Sequence, residues 1–261
     1  MMIKSLFLDI DGTLVSLQTH DIPASTIDAL TRAKRNGVKV FISTGRPPMI
    51  ITNIGAISHL IDGYITTNGA YCYVGEHTVC VNAIDTDDVK AIRRDADEHD
   101  YTCLVIGQHD LALYNPKPIF QEVFGDELKV QNIDLEKPAE PLFEQPVLQF
   151  TPFFPETHEA SLMSKMPHCV SGRWHPAFTD ITSIAADKGN GLQAMAEYLG
   201  LNLSETMAFG DGGNDLAIIK KAGIGVAMGN SNERLKVAAD YVTTSVDDDG
   251  IANALAHFKL I

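Results

Sequence analysis

Residues 3–9, Ile-Lys-Ser-Leu-Phe-Leu-Asp, form a short apolar run that stops on an acid, and Ile10-Asp11-Gly12-Thr13 follows at once. A run of this length without regular alternation suits a parallel strand covered by helices on both faces. That choice constrains what comes next, because parallel neighbours need crossover connections. The chain supplies them. Pro23 can open a helix with Ile27, Leu30 and Ala33 on its apolar face, and Gly37 can close it. Residues 38–42 read as a second strand, Pro47 and Pro48 mark a further helix start, and residues 64–67 read as a third strand. The alternation predicts an α/β domain built on a parallel sheet.

The C-terminal third repeats this rhythm. Helix patterns over 188–199, 215–222, 233–239 and 250–258 alternate with strand patterns over 206–209, 224–228 and 241–243. Between the two α/β stretches the rhythm is lost, and nine of the twelve prolines fall between Pro116 and Pro176. Residues 71–84 alternate as a hairpin around Gly75, residues 85–99 read as an exposed helix with a solvated acidic start, and 147–154 and 169–174 read as strands. The expected organisation is a core of residues 1–82 and 185–261, interrupted by a smaller inserted α+β domain over 83–184.

Charge narrows the function. Twenty basic against 34 acidic side chains give a net charge of −14, which argues against nucleic-acid and anionic-membrane surfaces, since both need clustered Lys and Arg. An anionic ligand then requires a local cation. Cys72, Cys80, Cys103 and Cys169 have no CxxC spacing and read as small buried residues in a reducing compartment. The first apolar run ends at Asp9, too short for a signal peptide, and no stretch approaches the ~18 apolar residues of a membrane span. A cytoplasmic protein without nucleic-acid or membrane partners is expected.

The strand ends carry the chemistry. Asp9 and Asp11 follow the first strand, just beyond the carboxyl edge where open α/β sheets bind ligands. Two carboxylates one residue apart can act as nucleophile and proton carrier, and Gly12 lets the backbone turn away. Ser43-Thr44-Gly45-Arg46 ends the second strand, where a hydroxyl and backbone N–H groups suit an anion; Thr44 alone also reads as a helix cap. Gly210-Asp211-Gly212-Gly213-Asn214-Asp215 gathers hard oxygen donors suited to Mg²⁺, and alone also reads as an acidic loop capping a helix. Lys188 opens a helix, a place where a lone lysine reads as solvated. Acidic residues 247–249 read as a helix start, and the nine histidines show no metal spacing.

In order, these elements are an Asp pair, a hydroxyl, a Lys and a second Asp pair. That constellation resembles the haloacid dehalogenase (HAD) superfamily of aspartyl-phosphate-forming hydrolases, whose four motifs correspond to DIDGT, STGR, Lys188 and GDGGND. The insertion, entered through Thr66-Thr67-Asn68-Gly69-Ala70-Tyr71, resembles a type-2 (C2B) cap, and Gly172-Arg173-Trp174-His175-Pro176 resembles the family's return into the core. From Lys4 to the C-terminus the chain is similar to the Cof-like sugar-phosphate phosphatases. The resemblance implies a Rossmann-like doubly wound parallel sheet with an inserted α+β cap. It also implies Mg²⁺, a small phosphate ester as substrate, most of all a hexose phosphate, and a monomer.

By this resemblance Asp9 attacks phosphorus, while Asp11 protonates the departing alkoxide and then deprotonates the hydrolytic water. Asp9 is to stay ionised and Asp11 to hold a proton near neutral pH. The metal falls to Asp9, the backbone carbonyl of Asp11 and Asp211, with Asp215 orienting its waters. Thr44, Gly45, Lys188 and Asn214 fall to the phosphate oxygens together with Ile10, and Arg46, Asn68 and Gly69 to phosphate or sugar. The cap is to close over the site, with Arg173 and His175 either reaching substrate or bracing the return hinge, and Trp174 as packing. A phosphomutase is the nearest alternative. A non-catalytic phosphate-binding module is another, although no motif residue is missing, and a dehalogenase would lack the counterpart of Asp11.

Overall fold

The computed structural model describes residues 2–130 and 133–261. Met1, and Gln131 and Asn132 in the expected insertion, lie outside them. The chain runs β1 (Ser5–Leu8), α1 (Ala24–Arg35), β2 (Lys39–Ser43), β3 (Gly63–Thr66), β4 (Tyr71–Val74) and β5 (His77–Val81). It continues with α2 (Thr86–His99), β6 (Cys103–Ile106), β7 (Leu111–Tyr114), α3 (Pro118–Phe120, extended by a π-helical turn to Glu127), β8 (Gln149–Pro152), α4 (Glu156–Met163), β9 (Cys169–His175) and β10 (Phe178–Ser183). Then come α5 (Lys188–Leu199), β11 (Thr206–Gly210), α6 (Leu216–Lys221), β12 (Ile224–Ala227), α7 (Glu233–Ala238), β13 (Tyr241–Val242) and α8 (Gly250–His257).

The chain divides into two compact units, one of residues 1–46, 51–80 and 187–261, the other of 47–50 and 81–186. The second unit thus takes in Pro47–Ile50, a segment the sequence reading gave to the core. Two expectations fail nearby. No α-helix follows β2. Short 3-10 turns stand at Pro48–Ile50 and Gly55–Leu60, where paired prolines, β-branched Ile51 and Thr52, and Gly55 oppose α-helix. Nor is α2 exposed all round: it buries Val89, Ile92 and Ala96 along one stripe, with Asp88 and Asp95 among them.

In the first unit the eight-stranded sheet has the order β13-β12-β11-β1-β2-β3-β4-β5. Strands β13 to β3 pair in parallel, and β4 turns antiparallel on β3. Side chains of β1 alternate between two cores: Leu6 and Leu8 pack with Leu30 of α1 and Leu255 of α8, while Phe7 packs with Leu192 of α5 and Ile218 of α6. Phe7 stacks on Phe41 of β2 at 4.9 Å. With β2 on one side of β1 and β11 on the other, the strand order reverses at β1, which is where ligand crevices open in such sheets.

The second unit has a five-stranded antiparallel sheet, β7-β6-β8-β10-β9. Strands β6, β7 and β10 escaped the sequence reading because runs of four to six residues bounded by polar turns carry too few periods to declare themselves. Val105 and Phe150 pack against Ile92 of α2 and Leu162 of α4. Asp95 is wholly buried at this helix pair and accepts from Lys165 Nζ (2.9 Å) and Tyr101 Oη (3.1 Å), with His158 Nε2 at 2.5 Å. Among the described residues no helix is long and apolar enough to cross a membrane.

Burial alone would raise the Asp95 carboxyl, but the bonds from His158, Lys165 and Tyr101 hold it below the ordinary carboxylate range. Such a group stabilises the fold above its unfolded value, and the contribution is lost as pH falls through the folded one. Asp95→Asn should cost about 2 kcal/mol at neutral pH, a difference that shrinks below pH ~4. Urea denaturation of both proteins at the two pH values measures it. An undiminished difference in acid would contradict the charge argument.

Candidate active site

Asp9 leaves the end of β1 with its N–H bonded to the Phe209 carbonyl of β11, and the residue is only 7% exposed. Lys188, the first residue of α5, is completely buried. Its Nζ donates to Asp9 Oδ1 and to Asp215 Oδ1, both at 2.6 Å. A lone lysine at a helix start reads as solvated, yet tertiary packing draws this ammonium between two carboxylates. The helix start is fixed by Asp187, whose side chain accepts from the Asn190 N–H at 2.8 Å.

Asp215 completes the clamp. Its other oxygen accepts from the N–H groups of Asp211 (3.0 Å) and Gly212 (2.9 Å), so one carboxylate shapes the 210–215 loop and anchors Lys188. Asp211 Oδ1 accepts from Thr13 at 3.0 Å, tying the loop after β11 to the loop after β1. Gly12, at φ +83°, lies where a Cβ would come within 2.3 Å of Asp211 Oδ2, so a residue without a side chain is required there. Asn230, just past β12, donates to the Gly12 carbonyl at 2.8 Å.

Charge is dense here. Burial pushes the Asp9 carboxyl up to about 8, with Lys188 opposing and Asp215 and Asp211 adding to the rise. Asp211 rises to about 6, again chiefly by burial. Burial works against the Lys188 ammonium, yet Asp215 and Asp9 outweigh it and move it above the usual lysine range. Asp9, Asp211 and Asp215 each offer a carboxylate oxygen, all within 4.8 Å of one another. Three acids against one lysine leave a negative excess that a divalent cation with oxygen preference would relieve, so the donor set fits a Mg²⁺-like ion.

The remaining candidates divide. Asp11 does not turn its carboxylate into this cluster: Arg46 Nε and Nη2 fork its two oxygens at 2.7 and 2.8 Å. Thr44 is buried and its hydroxyl accepts from the Arg46 N–H, a turn bond rather than an α-helix cap. Asn68 Oδ1 accepts from Asn214 Nδ2 at 3.0 Å and sits beside Gly45, which brings these three together. Thr67, Asn68 and Gly69 follow one another at positive φ. A Cβ on Gly69 would lie 2.2 Å from the Asp187 carbonyl oxygen, so this turn seats tightly on the start of α5. Ile10 places its side chain in the core and its carbonyl accepts from the backbone of Thr13, Leu14 and Val15.

Thr13 and Asn230 were not singled out from sequence. Thr13 lay inside a recognised string, and Asn230 follows a strand of the same sheet, so attention to every parallel strand end would have found both. In the second unit Arg173 donates to Glu159 Oε2 at 2.6 Å and to the carbonyls of Pro176, Phe178 and Phe154, a bracing role. His175 stacks on Phe178, with Nε2 3.2 Å from Glu127. Trp174 packs edge-on against Phe178 at 4.8 Å and is 61% exposed.

The loops after β1 and β11 and the start of α5 thus bring Asp9, Lys188, Asp211 and Asp215 together at the switch point of a doubly covered parallel sheet. A family model described as haloacid dehalogenase-like hydrolase matches residues 6–255. The chain belongs to that family, and its enzyme class is phosphoric monoester hydrolase. It is similar to a solved HAD subclass IIB sugar phosphatase, BT4131, at 44% identity and a TM-score of 0.88, covering 99% of this chain and all of that one. Another solved relative is the HAD phosphatase BT1666 of Bacteroides thetaiotaomicron, at 35% identity and TM-score 0.88, covering 100% and 96%. A Bacillus subtilis protein named as a phosphatase, YkrA, is 31% identical over 99% of this chain and 98% of its own length.

Lys188→Met would leave Asp9 and Asp215 buried without their cation. We expect a loss of about 3–5 kcal/mol in EDTA, partly restored by millimolar Mg²⁺. Denaturation with and without the metal tests it, and a loss below about 1 kcal/mol would deny the clamp its structural weight. Gly12→Ala should displace Asp211 and weaken divalent-cation binding at least tenfold by calorimetry.

Proposed function

We propose that this chain is a Mg²⁺-dependent phosphatase of small phosphorylated sugars, hexose phosphates foremost, working through an aspartyl-phosphate on Asp9. The observation that carries the reading is the buried Asp9 held against Lys188 and flanked by Asp211 and Asp215. It is a restrained carboxylate nucleophile beside a fixed positive charge. Asp9 attacks phosphorus, the bond to the ester oxygen breaks, and Asp11 gives that oxygen its proton. Asp11 then takes a proton from water, the water oxygen attacks phosphorus, and inorganic phosphate leaves with Asp9 regenerated.

Asp11 is engaged by Arg46 in this structure. Arginine forks phosphate as readily as carboxylate, so an incoming phosphoryl group that draws the Arg46 guanidinium to itself frees Asp11 for proton transfer. Lys188, Thr44, the Gly45 amide and Asn214 are the groups assigned to the other phosphate oxygens. Asp9, Asp211, Asp215 and the Asp11 carbonyl would hold Mg²⁺, which when bound supplies neutralisation of charge on the transferring group. Preference for sugar esters is supported by the likeness to a protein described as a sugar phosphatase. Residues 1–82 and 185–261 as catalytic core, residues 83–184 as the substrate-selecting insertion, and a cytoplasmic monomer complete the proposal.

Phosphate release from a panel of sugar and polyol phosphates, in Mg²⁺ and in EDTA, is the test. Asp9→Asn should lose about three orders of magnitude or more in turnover. Turnover near wild type would remove Asp9 as nucleophile. Asp211→Ala should raise the Mg²⁺ concentration needed for half-maximal rate, and an unchanged requirement would take Asp211 out of the ligand set.

A further inference from the structure

The four cysteines are all free thiols, and they are of two kinds. Cys103 and Cys169 lie in the second unit. Burial pushes the Cys103 thiol well above its ordinary range, and burial together with the bond to Asp88 does the same at Cys169. Both therefore stay protonated and react slowly, because the thiolate is the nucleophile. Cys72 and Cys80 belong to the first unit and meet across a hairpin. Cys72 is on β4 and Cys80 on β5, neighbouring strands joined by the turn at Gly75 and Glu76. Both side chains reach the same apolar cluster, where Phe7, Phe41 and Leu192 also pack. There the two thiols hydrogen-bond to one another.

The pair is asymmetric. Cys72 is completely buried. It stands opposite Ile65 of β3, and α5 covers it so closely that a Cβ on Gly191 would lie 3.2 Å from its Sγ. Cys80 is only half-buried and sits on β5, the edge strand of the sheet. The bond from the Cys72 thiol lowers Cys80 below the ordinary thiol range, against the opposing effect of burial, and the Cys72 backbone N–H adds to the lowering. The same bond, with burial, raises Cys72. Thiolate character thus gathers on the member that solvent can reach, while the proton stays on the member that can be reached only through its neighbour. That division suits an attacking and a resolving cysteine.

We propose that Cys72 and Cys80 form a reversible dithiol–disulfide modification site, oxidised by low-molecular-weight disulfides of the glutathione class. The Cys80 thiolate attacks one sulfur of the small disulfide, whose S–S bond breaks and expels one thiolate. Cys72 passes its proton to that thiolate and attacks the Cys80 sulfur of the mixed disulfide, expelling a second thiolate that is protonated by solvent. Both protein sulfurs are oxidised, and the small disulfide is reduced to two thiols. Because the two thiols already touch, little side-chain movement brings their sulfurs to the ~2 Å of a disulfide bond. The site is independent of the phosphatase reading, and its test reads mass rather than turnover.

The full chain is incubated with oxidised glutathione, quenched in acid, and read by intact mass and by peptide mapping after alkylation in denaturant. Wild-type protein should lose two hydrogens and yield linked peptides carrying Cys72 and Cys80, with Cys103 and Cys169 still open to alkylation, and dithiothreitol should reverse the change. Cys72→Ser should stop at the mixed disulfide, gaining one glutathionyl group at Cys80. Cys80→Ser should leave Cys72 reacting at least about tenfold more slowly than Cys80 does in the wild type. The wild-type map decides the matter even where a serine variant fails to fold, which melting curves would show. Glutathionyl groups that persist on wild-type Cys80 without closure would overturn the pair. Equal modification of all four cysteines would overturn its selectivity, and wild-type protein left unreacted while an exposed model thiol is oxidised would overturn the site outright.

Discussion

The ammonium of Lys188, buried between Asp9 and Asp215, is the interaction on which the first unit depends. It joins the end of β1, the start of α5 and the loop after β11 at a single point. Desolvating a lysine is costly, and the site offsets that cost only because both partners are themselves restrained. Asp215 is held by two backbone N–H groups and Asp9 by its place at the strand end. The same bonds that shape the loops therefore fix the spacing between the Asp9 carboxylate and the Lys188 ammonium.

The electrostatics follow from that arrangement. In a chain of net charge −14, an anionic ester meets general repulsion, and one buried cation cannot balance three neighbouring acids. Burial and mutual repulsion push Asp9 and Asp211 upward, which is the physical form of a site short of positive charge. Its donors are all oxygens and its geometry is compact, so the deficit matches a small hard dication better than a second side chain. Arg46 supplies a further cation close by, though in this structure it is committed to Asp11. The second unit handles buried acid differently: Asp95 is saturated by Lys165, Tyr101 and His158.

Much of the architecture was legible because it is written in local patterns. The helix over 188–199 and the strand ends at Asp9, Ser43 and Gly210 lie close to where apolar periodicity and glycine punctuation placed them. The helix expected after β2 failed because prolines signal a start without guaranteeing that the following residues continue it. The short strands β6, β7 and β10 were missed since four to six residues hold too few periods to separate strand from loop. Acids on α2 were read as solvated because charge is usually exposed, yet Asp88 and Asp95 are buried where backbone and side-chain donors meet them.

The candidate site divides along the same line. Sequence alone determined which chemical groups stand at the carboxyl edge of the sheet, because strand ends, glycines and helix starts are set by neighbours a few residues apart. It could not determine which group holds which. Lys188 meets Asp9 across 179 residues, Thr13 meets Asp211 across 198, and Arg46 reaches back to Asp11 across 35. Charge and hydrogen bonding act through distance in space rather than along the chain, and burial changes their strength several-fold. Only the tertiary structure decided that a lysine at a helix start is buried, that Asp11 faces an arginine instead of its neighbour's cluster, and that the lone tryptophan lies open beside a carboxylate.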